Sequence, residues 1–138
     1  MEQTVRRFFE NYERANASSD SKAIGALYAD TFMFGGPDGV QAVEKEVLLQ
    51  VIPKRKAHFD SMGLCETRLK TLSASALDSK YLLAKVGWTM TVRNATGESK
   101  MMEVFTTYVL QHTGADLSIV FQIDHQDLAT TIARHPRT

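Results

Sequence analysis

Residues 80–93 read KYLLAKVGWTMTVR, and their alternation decides the fold. Leu82, Ala84, Val86, Trp88, Met90 and Val92 fall on one side of a two-residue period. Tyr81, Leu83, Lys85, Gly87, Thr89, Thr91 and Arg93 fall on the other. A helix would spread those six apolar side chains around its whole circumference, whereas a strand gathers them on one face against a core.

The same period continues toward the C-terminus. Residues 100–112 put Met102, Val104, Thr106, Tyr108 and Leu110 on one side, and residues 117–126 do the same with Leu117, Ile119, Phe121, Ile123 and His125. On the N-terminal side, 64–75 reads as a further strand, with its register left open. Asn94-Ala95-Thr96-Gly97-Glu98 and Thr113-Gly114-Ala115-Asp116 are hairpin connections, so the strands they join run antiparallel. The three apolar sets are assigned to a concave, helix-facing side. The opposite face carries Leu83, Met101, Phe105, Val109 and Val120 among Glu103, Thr107, Gln111 and Gln122. That is more apolar surface than a face turned only to water carries. It predicts a homodimer through the outer sheet face, with cover by the C-terminal tail as the alternative.

Ahead of the strands the period is helical. Val5, Phe8, Phe9, Tyr12 and Ala15 recur along 4–17, and Ser18-Ser19-Asp20 ends that helix and caps the next, which carries Ile24, Leu27 and Tyr28. Thr31-Phe32-Met33-Phe34 is a brief strand, turned by Gly35-Gly36-Pro37-Asp38-Gly39. A third helix is predicted from Asp38, with Gln41 three residues on as in a capping box and Val40, Val43, Val47 and Val51 as its stripe. Pro53 predicts a kink or a fresh helix start, and Gly63 the end. Residues 127–138 form a last helical turn before Pro136. Together 1–138 make one α+β domain: N-terminal helices packed into a strongly curved, mainly antiparallel sheet.

Composition excludes several classes of function. Sixteen basic residues balance sixteen acidic ones among 138, so no positive field draws nucleic acid or anionic membrane. No apolar run approaches the ~20 residues of a membrane span. The N-terminus shows no secretory signal, and Cys65 alone makes no disulfide. Both agree with a cytoplasmic setting.

The opening Phe8-Phe9-Glu10-Asn11-Tyr12-Glu13-Arg14-Ala15-Asn16-Ala17-Ser18-Ser19-Asp20 resembles the first helix of SnoaL-like and ketosteroid isomerase-like domains, within the nuclear transport factor two-like superfamily. Ala26-Leu27-Tyr28-Ala29-Asp30-Thr31-Phe32 resembles their second helix running into the first strand, and Leu117-Ser118-Ile119-Val120-Phe121 their last strand. The resemblance implies a cone-shaped α+β barrel. It leaves function open, because the superfamily holds isomerases, dehydratases, hydrolases, cyclases and non-catalytic assembly domains. Tyr12 falls where the isomerases place an oxyanion-donating tyrosine, and Thr106 best matches their second donor. Gly36 precedes Pro37 where their aspartate base stands, so isomerase activity of that type is not expected.

The candidate chemistry follows from these faces. By parity His125 continues the inward side of the last strand, where imidazole titrates near neutrality and suits general acid or base work. Tyr12 offers a phenol, though its stripe also makes it a plain core residue. Phe34, Trp88, Met90, Thr106 and Tyr108 are the expected ligand-lining set. No metal site is expected, because His58, His112, His125 and His135 lack paired spacing, and no cofactor motif is present. The leading expectation is a domain that binds a small, mostly apolar molecule between sheet and helices. The alternatives are an isomerase, dehydratase or hydrolase using His125, with a polyketide- or terpenoid-like substrate implied by the resemblance alone, and a non-catalytic dimerisation or assembly domain.

Overall fold

The computed structural model describes residues 2–133. Its elements are α1 (Glu2–Ser18), α2 (Ser21–Gly25), β1 (Tyr28–Gly36), β2 (Gly39–Glu44), α3 (Lys45–Ser61), β3 (Leu64–Ala76), β4 (Tyr81–Arg93), β5 (Ser99–Thr113), β6 (Asp116–Asp124) and α4 (Leu128–Ala133). The strands form one sheet in the order β2-β1-β6-β5-β4-β3. Every neighbouring pair is antiparallel except β1 and β6, which run parallel. The fold is thus α+β with a mainly antiparallel sheet, as the alternation of the C-terminal half requires.

All six inward residues of β4 are buried, from Ala84 at 0% exposure to Met90 at 8%. They meet Val104, Thr106, Tyr108 and Leu110 across β5, with Trp88 opposite Val104 and Ala84 opposite Tyr108. α1 packs on the concave side. Val5, Phe8 and Phe9 are buried, and the Phe9 ring lies 4.8 Å from Tyr108 and 6.4 Å from Trp88 between centroids. Burying each such side chain stabilises the fold by roughly 1.5–3 kcal/mol. Register shifts at Leu64/Glu66 and Leu69/Thr71 in β3, and at Val109/Leu110 between β5 and β6, insert bulges, which bend and twist a strand locally.

Asp20 caps α2 as expected, its Oδ1 accepting from the Lys22 and Ala23 amides at 3.1 and 3.2 Å. Three expectations are corrected. Tyr28 is the first residue of β1, because α2 ends at Gly25 after barely more than a turn. The helix predicted from Asp38 begins only at Lys45, since residues 39–44 pair with β1 as a hairpin turned by Pro37 and Asp38. The valine stripe therefore belongs to two elements, and Val40, Val47 and Val51 are 58%, 51% and 44% exposed. α3 instead turns Leu48 and Ile52 to the core, one residue out of phase with the valines. Finally, Pro53 lies inside one continuous helix rather than at a new start. At the far end α4 occupies Leu128–Ala133, and the tail from 134, with His135 and Pro136, falls outside the described residues.

Gly63 ends α3 with φ +98°, a conformation side chains avoid. A Cβ there would stand 2.2 Å from the Arg93 carbonyl, which is close because Arg93 N–H donates to the Gly63 carbonyl at 2.8 Å.

Candidate functional site

Between α1, α3 and the sheet lies a cavity of about 550 Å³. Its floor is β4, β5 and β6, through Trp88, Met90, Val104, Thr106, Tyr108, Gln122 and Asp124; α1 contributes Tyr12, and α3 contributes Leu48, Ile52, Arg55 and Phe59. A second hollow of similar size adjoins it, lined by Phe34 and the Gly36–Val40 turn, and it shares Arg55, Phe59, Asp124, Gln126 and Leu128 with the first.

The cavity lining is mixed: apolar side chains come from α3, β4 and β5, charged ones from α1, α3 and β3, and one connected set of polar groups lies on the floor. Tyr12 and Tyr28 hydroxyls lie 2.9 Å apart. Tyr28 donates to Gln122 Oε1 at 2.5 Å, Gln122 Nε2 donates to Asp124 Oδ1 at 3.1 Å, and Thr106 Oγ1 reaches the same Oδ1 at 3.5 Å. A buried amide and phenol need such partners, and here each finds one. The direction of the chain follows from its end: Asp124 accepts, so the Gln122 amide nitrogen faces it and the amide oxygen faces Tyr28. Burial pushes all three cavity phenols up, Tyr28 and Tyr108 well above the ordinary value and Tyr12 by less, because its hydrogen bond with Tyr28 and then the Arg55 charge oppose the effect of burial. Tyr12 is thus the readiest of the three to give up a proton.

The structure brings Tyr12, Trp88, Met90, Thr106 and Tyr108 together at this cavity, and places Phe34 at the adjoining hollow instead. His125 is corrected. In β6, Ile119 stands opposite Leu110 and Phe121 opposite Val109, so Val120 is an extra residue. That bulge reverses every side after it. Gln122 and Asp124 point inward, while Phe121, Ile123 and His125 point outward. The His125 side chain is exposed, its Nε2 2.7 Å from Thr107 Oγ1 on the outer face. Asp127 is also exposed and accepts from Thr130 Oγ1 at 2.6 Å.

Sequence reasoning missed Tyr28, Arg55, Gln122 and Asp124. The signal for the last two was partial: Gln122 and Asp124 alternate as a polar pair, but Asp116 and Ser118 precede them at the same parity, and only the bulge turns the pair inward. Among the described residues no cluster of three or more His, Cys, Asp or Glu is placed to hold a metal ion.

No protein-family model and no curated protein sequence matches the chain. Solved structures do. The chain is similar to a nuclear transport factor two-like protein with a cystatin-like fold from Novosphingobium aromaticivorans, at 11% identity and TM-score 0.74 over 94% of this chain and 86% of that one. It is similar to a nuclear transport factor two-like protein of unknown function from Shewanella oneidensis, at 12% identity and TM-score 0.70 over 90% and 98%. It is also similar to a ketosteroid isomerase-like protein from Erwinia carotovora atroseptica, at 17% identity and TM-score 0.64 over 90% and 94%. The chain has the nuclear transport factor two-like fold, and at these identities that statement concerns shape alone.

Proposed function

We propose that this protein binds a small, mostly apolar molecule carrying one or two oxygen functions, held in the cavity between α1, α3 and the sheet. The observation that carries this is a cavity of about 550 Å³ whose floor joins the apolar side chains of Trp88, Met90 and Val104 to one connected polar cluster, Tyr12-Tyr28-Gln122-Asp124. Sites for organic ligands combine those two features, the apolar lining giving affinity and the few polar groups giving orientation. Native mass spectrometry of protein purified from its own host tests it. A retained organic molecule displaced by a Trp88→Ala or Met90→Lys variant is the expected result, and an empty protein that binds no small apolar compound contradicts it.

The same cavity supports a catalytic version, with the acid–base role at Asp124 rather than His125. Asp124 is the carboxylate that the polar cluster orients, and Tyr12 supplies a nearby phenol that burial keeps protonated, as a hydrogen-bond donor requires. An isomerase, dehydratase or hydrolase step fits such a pair. Asp124→Asn abolishing turnover of an identified substrate, with binding retained, is the result that version requires; undiminished turnover rules it out.

A second copy of the chain is proposed on the outer sheet face. Met101 and Phe105 are 68% and 45% exposed there, and the β6 bulge adds Phe121 and Ile123 to the same side. Sedimentation at micromolar concentration is expected to show a dimer that Phe105→Glu dissociates, and a monomer of the unaltered chain contradicts it. No helix among the described residues is long and apolar enough to cross a membrane. The exposed free thiol of Cys65 fits the reducing cytoplasm, where we place the protein.

A further inference from the structure

Four cations line the inner cavity: Arg14, Arg55, Lys56 and Arg68. Lys56 is paired with Asp60 at 3.1 Å and Arg68 with Glu66 at 2.9 Å, while Arg14 spends a guanidinium N–H on the Asn11 amide oxygen. Neither Arg14 nor Arg55 has a carboxylate within ion-pair distance among the described residues, and of the two only Arg55 borders both hollows. Its guanidinium stands 5.2 Å from the centre of the Phe59 ring, one turn further along α3. Ile52, Arg55 and Phe59 share the helix face that walls the cavity, and Arg55 lies where the two hollows adjoin. Asp124 reaches the same neck, but the contacts its Oδ1 makes are to neutral groups, the Gln122 amide and the Thr106 hydroxyl. The Arg55 charge also extends inward, where it favours the phenolate forms of Tyr12 and Tyr28.

An uncommitted guanidinium at the neck of the chamber offers its fork of N–H donors to an anion whose remainder sits inside. We propose that the guest is an amphipathic organic acid, with its apolar body among Ile52, Trp88, Met90 and Val104 and its single anionic group on Arg55. Arg55 is then the residue that separates acids from neutral molecules of the same shape. This rests on the cavity being a binding site, and the two ideas fail separately.

The test uses a matched pair of fluorescent probes, anionic 1-anilinonaphthalene-8-sulfonate and uncharged N-phenyl-1-naphthylamine, which share the aromatic body and differ in the acid group. The proposal predicts that the full chain binds the sulfonate about tenfold tighter or more, as a charge-assisted contact gives. Arg55→Gln brings the sulfonate down to the level of the neutral probe and leaves the neutral probe unchanged, whereas Lys56→Gln, at a lining cation already paired, keeps the preference. Circular dichroism checks that each variant is folded, which the exposed position of both side chains favours. Equal binding of the two probes, or a preference that survives Arg55→Gln, overturns the inference while the cavity stands as a binding site. Binding of neither probe overturns both.

Discussion

At the residue scale the molecule turns on three phenols kept neutral in an apolar interior. Tyr28 holds the centre, in contact with the Tyr12 hydroxyl and donating to Gln122. Tyr28→Phe leaves the Gln122 oxygen without its donor, and a buried acceptor so orphaned costs about 1–3 kcal/mol. Urea unfolding is expected to show that loss, and an unchanged midpoint contradicts the described chain. The same phenols set a pH dependence. Their folded values are raised above the ordinary 10.0, chiefly by burial. As pH rises past 10 the unfolded chain releases those protons first and binds fewer than the folded one, so stability is full below about pH 10 and falls above it. Tyr108→Phe is expected to make that alkaline decline shallower, measured as unfolding free energy against pH between about 9 and 11. An equal slope in the variant speaks against a buried Tyr108 hydroxyl.

At the scale of elements, β4 to β6 and the two hairpins joining them were legible in the sequence, and β3 as a strand without its register, because a half-buried strand writes its face in alternation and Gly97 and Gly114, at φ +88° and +68°, mark the turns. Three features were not. The valines at 40, 43, 47 and 51 fit a helical period, yet 40 and 43 pair with Gly35 and Phe32 across a strand junction no local pattern announces. Tyr28 suits the helical spacing of Ile24 and Leu27, and only its pairing beside β6 makes it a strand residue. The Val120 bulge reversed the faces of Gln122 through His125, because an extra residue is visible only against the partner strand. The candidate site suffered most from this: its apolar lining was readable on β4 and β5, its polar cluster on β6 was not. Two predictions belong here. Gly63→Ala forces a side chain at φ +98° against the Arg93 backbone and is expected to cost about 2 kcal/mol or more in thermal or urea unfolding; a neutral effect contradicts that junction. α3 has no fully buried residue and carries Pro53 inside, whose ring removes one helical hydrogen bond. Its amides are expected to exchange hydrogen well before those of α1, which buries Val5, Phe8 and Phe9. Equal protection of both helices contradicts a loosely held cavity wall.

At the scale of the whole molecule, a bent sheet and a lightly packed α3 leave a chamber that α1 does not fill. Trp88 is the chain's one tryptophan and lies on the chamber floor beside Tyr12, with ring centroids 5.5 Å apart. Its emission therefore reports directly on what enters. Titrating N-phenyl-1-naphthylamine while exciting Trp88 is the most direct measurement of the central claim. Saturable quenching of Trp88 with matching sensitised probe emission, at one probe per chain, is the predicted result. Trp88 emission that stays unchanged up to the probe's solubility limit would show the chamber closed to guests and contradict the account.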